Sequence, residues 1–426
     1  MSSFDTRAMS EARLRESCAR FNQQKMPKIH AERSVHSNLP SLIGLSHRIH
    51  SHPEVAHEEV KASRWLGELL AQSGFAVKVG LCGLPTALSA RRGTGDLHIV
   101  LCAEYDALPR IGHACGHNII AAAAAGAAIA LGDLADDLGI TITVMGTPAE
   151  EVGDGGGKIL LLERGAFVGV HAAMMIHPAP FDSVKLNYLA ASTFEVEYFG
   201  RSSHPAAPHL GINAADALTV AQTAIALLRQ HVQVTDGIQG IVTNGGDAPN
   251  IIPAYTSSRY TIRSKSIQAI EKLAPRVHAC FKAGAIATGC ALRISGGNKP
   301  YAEMHNDEDL VRIYKCNAES FGRRFVDNAP MTAHAGASTD MGNVSCEIPS
   351  IHPCIGIDSL PAVNHQPEFA ARCVTASADK AVRDGALIMA WTVVDIALDQ
   401  AIRKRLLTFR PESVSDRRSQ PKISSD

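Results

Sequence analysis

Apolar residues along this chain recur with two different periods, and the places where the period changes divide it. Residues 39–50 and 60–74 carry apolar positions at helical spacing. Leu97–Ala103, Ile140–Gly146 and residues 172–176 are instead short, continuous apolar runs of the kind that fill strands buried on both faces. Between the first two runs, residues 119–131 contain five consecutive alanines and predict a tightly packed helix. Strands alternating with helices in this way read as βαβ units, so the predicted fold is α/β, a mainly parallel sheet flanked by helices.

Near residue 190 the pattern becomes strict alternation. Phe194, Val196 and Tyr198 stand against Glu195 and Glu197 within residues 192–199, and residues 257–263 alternate likewise, which predicts half-exposed antiparallel strands. With helices over 213–230 and 266–287 and a last strand at 291–295, the order is β-α-β-β-α-β, an inserted α+β unit of ferredoxin-like topology. The first pattern then resumes, with a strand at 350–356 and mostly helix over 369–407. The expected organisation is an extension over 1–35 and a discontinuous first domain over 36–189 and 301–409. An inserted domain covers 190–300, and a Ser/Arg/Pro-rich tail over 410–426 is expected to be disordered.

Composition narrows the partners. Charged residues make up 19% of the 426 and the formal net charge is -1, which leaves no basic field for nucleic acid and no polybasic membrane patch. Asp5, Arg7, Glu11 and Arg13 stand where a signal peptide needs an apolar stretch, so a cytoplasmic protein acting on a small molecule is expected. The cysteines lack a framework spacing, and Cys82, Cys102, Cys280, Cys290, Cys346 and Cys354 read as buried free thiols of a reducing compartment.

The candidate chemistry gathers where buried strands end. Cys115 and His117, separated by Gly116, are a thiolate and an imidazole suited to a divalent ion such as Zn²⁺. Asp106, Glu150, Glu151 and His177 each follow an apolar run, and in parallel sheets functional groups gather beyond the carboxyl ends of strands. His365, in a loop before a long helix, completes a candidate ligand set of Cys115, His117, Glu151, His177 and His365, enough for one ion or two. Amide hydrolysis needs a water made nucleophilic near neutral pH, which such an ion achieves. Adjacent carboxylates repel unless one faces a cation, so Glu151 as ligand with Glu150 as general base is a sensible division. Asp106 is expected to orient a ligand imidazole, Asp340 to cap a helix near the pocket, and His47, His50, His52 and His57 to be structural.

These residues belong to an ordered series of motifs: 48–54, 103–109, 113–117, 147–151, 175–178, 200–205, 250–253 and His365. In that series the chain resembles the M20 metallopeptidase and amidohydrolase family over roughly residues 40–405, in the branch with a Cys-Gly-His metal motif. That branch includes aminobenzoyl-glutamate hydrolases, auxin-conjugate hydrolases and a dipeptidase-like group. The resemblance implies a hydrolase using one or two Zn²⁺ or Mn²⁺ ions, with the insert as a lid that pairs two copies into a homodimer or higher oligomer. It implies that His204 reaches across that interface to stabilise the oxyanion, and that Asn250 and Arg263 clamp a carboxylate-bearing substrate. Many members follow Cys-Gly-His with Asp; Asn118 here points away from the auxin-conjugate hydrolases.

The function expected is hydrolysis of a C–N bond, foremost the amide of an N-acyl or aminoacyl amino acid or a dipeptide. Two alternatives are a hydrolytic deaminase of an aminoaromatic acid, as in the similar 5-nitroanthranilate aminohydrolase, and a non-catalytic binding member of the family. The second would need lost ligands, and all are retained.

Overall fold

The computed structural model describes residues 3–326 and 336–410, with side chains from residue 25 onward. The first strands are β1 (Ala76–Val79), β2 (Leu88–Arg92), β3 (Leu97–Ala103), β4 (Ile140–Gly146), β5 (Ala172–Met174) and β6 (His177–Ala179). Four more, β7 (Ala190–Phe199), β8 (Gly237–Asn244), β9 (Tyr255–Ser264) and β10 (Ala291–Gly296), lie in the insert, and β11 (Ser350–Ile351) and β12 (Cys354–Gly356) follow it.

The larger sheet runs β1-β2-β4-β3-β5-β11. Its β4-β3-β5-β11 portion is parallel, as the apolar runs predict, while β1 and β2 form an antiparallel edge. That edge carries no strong sequence signal because β1 is short and largely exposed, with Val79 at its end open to solvent. Because the central strands are parallel, the segments after β3, β4, β5 and β11 emerge on one side of the sheet.

Helix α1 (Ser3–His50) is longer than expected. The predicted start near residue 39 is no boundary: Ala31, Val35, Leu42, Leu45 and Ile49 form one buried stripe that continues through Pro40. Proline costs one helical hydrogen bond, and the stripe's burial against the core offsets it. The part of the extension carrying Ala31 is therefore core, not periphery. After α2 (Val60–Gln72), helix α3 (His117–Gly132) is buried along its whole length. Its small residues allow close approach; a Cβ at Gly126 would lie 2.8 Å from both Leu42 and Ala386. Ala386 belongs to the long helix Ala376–Leu398, which packs on both α1 and α3.

The insert follows the predicted β-α-β-β-α-β order, with helices Ala214–Leu228 and Ile267–Thr288. Its antiparallel sheet runs β10-β7-β9-β8, over a separate core that includes Val196, Tyr198, Ile262 and Phe281. Asn213 and Ser266 cap the two helices through their side chains.

Residues 350–356 do not form one strand. Pro353 has no N–H to give, and the chain breaks there into β11, beside β5, and β12, which pairs with β6 in a separate parallel ribbon. No disulfide joins the nine described cysteines, though Cys82, Cys280 and Cys346 are only half-buried, short of the burial expected of them. Most of the tail, residues 411–426, lies outside the described residues.

Candidate metal centre

Four segments deliver the candidate ligands to the carboxyl ends of the parallel strands. After β3 comes Glu104-Tyr105-Asp106, followed by the turn that carries Cys115 into the first residue of α3, His117. Gly116 makes this turn at φ 74°, where a Cβ would sit 2.9 Å from Pro178. After β4, Ala149 is held at φ 60° with its N–H on the buried Glu59 carboxylate at 2.9 Å, and this turn presents Glu150 and Glu151. His177 opens β6, and His365 stands at φ 68° with its N–H on the Ala114 carbonyl at 3.0 Å. Two non-glycine residues in the left-handed region flanking one site is the kind of strain that gathers at functional positions.

The side chains converge as the sequence suggests. Cys115, His117 and His177 offer ligand atoms within 4.8 Å of one another, as do Cys115, Glu151 and His365, and His117, Glu150 and Glu151. His117 Nδ1 hydrogen-bonds the Asp106 carboxylate at 3.0 Å and the Asp106 carbonyl at 2.9 Å, leaving Nε2 buried without a partner among the described residues. Glu151 Oε1 is likewise buried and unpartnered, 3.9 Å from His117 Nε2 and 3.7 Å from His365 Nε2. His177 Nδ1 is tied to the Pro178 carbonyl at 2.8 Å. A thiol, three imidazoles and a carboxylate, with orphaned donor atoms facing one another, fit a divalent ion. His365 is the outermost, with 62% of its side chain exposed.

The electrostatics carry the same message. Burial would lower the His117 imidazole, but Asp106, Glu104 and Glu151 outweigh it and hold it well above its ordinary value. Burial and Glu151 push the Cys115 thiol well up, so only a cation makes it a thiolate. Burial, then Glu104 and Glu151, push the Glu150 carboxyl well above the usual carboxylate range, the direction that suits a group that takes up and returns a proton.

The structure adds residues the sequence did not single out. Glu104 is fully buried, with Oε2 3.4 Å from His117 Nε2 and Oε1 2.5 Å from Lys158 Nζ. Lys158, also fully buried, reaches Asp340 Oδ1 at 2.5 Å. Asp340 begins the helix Met341–Glu347 without capping it; its Oδ2 accepts instead from the Lys158 N–H at 2.9 Å, in the first turn of the helix Gly157–Glu163. The expected cap thus serves a different helix. His47 and His50 are structural, bonded to Asp379 and to the Ala370 carbonyl.

Beside the centre lies a cleft of about 740 Å³ lined by Cys115, Glu150, Glu151, His177, His365 and Arg263, among others. Arg263, on β9, points into it, with Nη1 on Ser338 Oγ at 2.5 Å and the Gly336 carbonyl at 3.2 Å. His204 and Asn250 do not line this cleft. Both are exposed, in insert loops that meet where Ile252 N–H donates to the Ser203 carbonyl at 2.9 Å.

Residues 100–383 match the family described as Peptidase family M20/M25/M40. The chain is 37% identical to the Xaa-Arg dipeptidase of Mus musculus over 84% of this chain and 87% of that protein. It is 28% identical to the N-acetyl-L-cysteine deacetylase of Bacillus subtilis over 68% of this chain and 75% of that protein. In fold it resembles a dinuclear metal-binding M20 peptidase from Bacillus subtilis, with a TM-score of 0.62 at 21% identity, covering 85% of this chain and 99% of that one. An aminobenzoyl-glutamate utilization protein from Klebsiella pneumoniae gives 0.66 at 16% identity, covering 86% and 97%.

Proposed function

This chain belongs to peptidase family M20/M25/M40 and is a metal-dependent amide hydrolase, and we propose that its substrates are dipeptides or N-acyl amino acids with a free α-carboxylate. The observation that carries the reading is the convergence of Cys115, His117, Glu151, His177 and His365 in overlapping groups of three beside an arginine-bearing cleft, with His117 Nε2 and Glu151 Oε1 buried and unpartnered among the described residues. One or two Zn²⁺ or Mn²⁺ ions held by these residues would polarise the scissile carbonyl and activate water. Glu150 takes the proton of the attacking water and delivers it to the leaving nitrogen. Asp106 keeps His117 in the tautomer whose Nε2 faces the centre. Arg263 pairs with the substrate carboxylate, exchanging its present contacts with Ser338 and Gly336 for a charged one.

His204 and Asn250 complete the site from a second copy in this reading. The edge strand β8 exposes Ile241 and Val242, and the nearby loops expose Leu210 and Ile251, an apolar surface suited to pairing insert with insert. The lack of a disulfide among the nine described cysteines accords with a reducing, cytoplasmic setting.

A panel of dipeptides, N-acyl amino acids and aminobenzoates, scored for release of amino acid against ammonia, tests the reaction. Ammonia without an amino-acid product would overturn it. Mixing inactive His204→Ala and Glu150→Gln proteins tests the shared site: random pairing should restore about a quarter of wild-type activity, and no recovery would remove His204 from the chemistry.

A further inference from the structure

The cleft contains one histidine that the chemistry above does not use. His352 follows β11, at the same edge of the parallel sheet as the candidate ligands, and is fully buried in the cleft wall. Its ring centroid is 5.5 Å from that of His177 and 4.8 Å from that of Tyr188, which meets it edge-on. Both ring nitrogens lack a hydrogen-bond partner among the described residues. Its polar neighbours on the wall are committed: Tyr188 to Cys354 at 3.6 Å, Thr193 to Thr261 at 2.8 Å, Arg259 to Glu195 at 2.9 Å, and Asn364 to the Pro178 carbonyl at 3.1 Å. Apart from the candidate ligands and the base Glu150, His352 is the cleft side chain whose buried polar atoms lack a partner among the described residues. A buried imidazole left in this state is destabilising, and a bound ligand that donates to it removes the cost.

The substrate supplies a matching vacancy. Of the polar groups of a dipeptide, the α-carboxylate goes to Arg263 and the scissile carbonyl to the metal centre, while Glu150 and Glu151 are engaged in the chemistry. The α-amine alone is left. We propose that His352 accepts a hydrogen bond from the free α-amine of the substrate's N-terminal residue and so selects dipeptides over simple N-acyl amino acids. This assignment rests on the amide-hydrolase reading. The apolar wall beside His352, with Phe181, Leu186 and Tyr188, takes the side chain of the same residue.

The test compares an alanyl dipeptide Ala-X with propionyl-X, which has the same acyl skeleton without the amine, X being the residue wild type cleaves best. His352→Leu should lower kcat/KM for Ala-X by about 10- to 100-fold and change propionyl-X by less than threefold. His352→Gln, which keeps an acceptor in the same space, should recover most of the difference. Calorimetric binding of both compounds to Glu150→Gln protein, with and without His352→Leu, should show the same selective loss. An equal fall for both substrates, or no fall for Ala-X, overturns the assignment. Wild-type inertness towards both compounds would instead overturn the amide reading beneath it.

Discussion

Replacing Lys158 by Met removes the ammonium from a buried cluster of carboxylates and leaves its shape nearly intact. Lys158 is 0% exposed, as are Glu104 and Asp340, and its Nζ lies 2.5 Å from an oxygen of each. Removing one partner of a buried ion pair typically costs about 3–5 kcal/mol, and here two carboxylates lose their partner together. The upper part of that range is expected at pH 8, where both must ionise or bind protons against the solvent. Burial already raises Asp340 to about 6 with Lys158 beside it; without the ammonium it rises further. A carboxyl with a raised folded pKa contributes stability below its unfolded pKa and loses it as pH rises through the folded one. The deficit of Lys158→Met should therefore be largest at pH 8 and shrink towards pH 5. Urea unfolding of both proteins at the two pH values, in chelator so that metal binding does not shift the midpoints, measures it. A loss below about 1 kcal/mol at pH 8, or an equal loss at both pH values, would refute the placement of the ammonium in this cluster.

Gly116→Ala should destabilise the protein by about 1–2 kcal/mol through the left-handed backbone alone. The added Cβ, 2.9 Å from Pro178, should also move Cys115 and His117 apart and lower metal occupancy measured by elemental analysis. Asp106→Ala should weaken metal binding by about 10- to 100-fold, read from competition with a chromogenic chelator. Unchanged affinity would mean that Asp106 does not orient His117.

Much of the centre was legible in the sequence because its residues follow apolar runs long enough to be strands. Glu150 and Glu151 after β4, and Cys115 and His117 at the start of α3, could be placed from that logic alone. Glu104 was legible only as part of a motif, since nothing local distinguishes it from a solvated glutamate at a strand end. Lys158 was hidden, and Asp340 was placed near the pocket only as a cap, because their pairing spans 182 residues and depends on two helices meeting. His352 was concealed by reading residues 350–356 as one strand; the break at Pro353 is what puts the imidazole beyond β11, in the position already recognised as productive for β3, β4 and β5. His204 and Asn250 mark a different limit, because their proposed roles depend on a second copy of the chain.

The central claim joins a metal centre to a carboxylate base, and Glu150→Gln separates the two. Metal content and peptide hydrolysis should be measured on the same preparations of wild type and variant. Glu150→Gln is expected to keep the wild-type metal complement while kcat falls by about 10²- to 10⁴-fold. Turnover near the wild-type rate with metal retained would contradict the account.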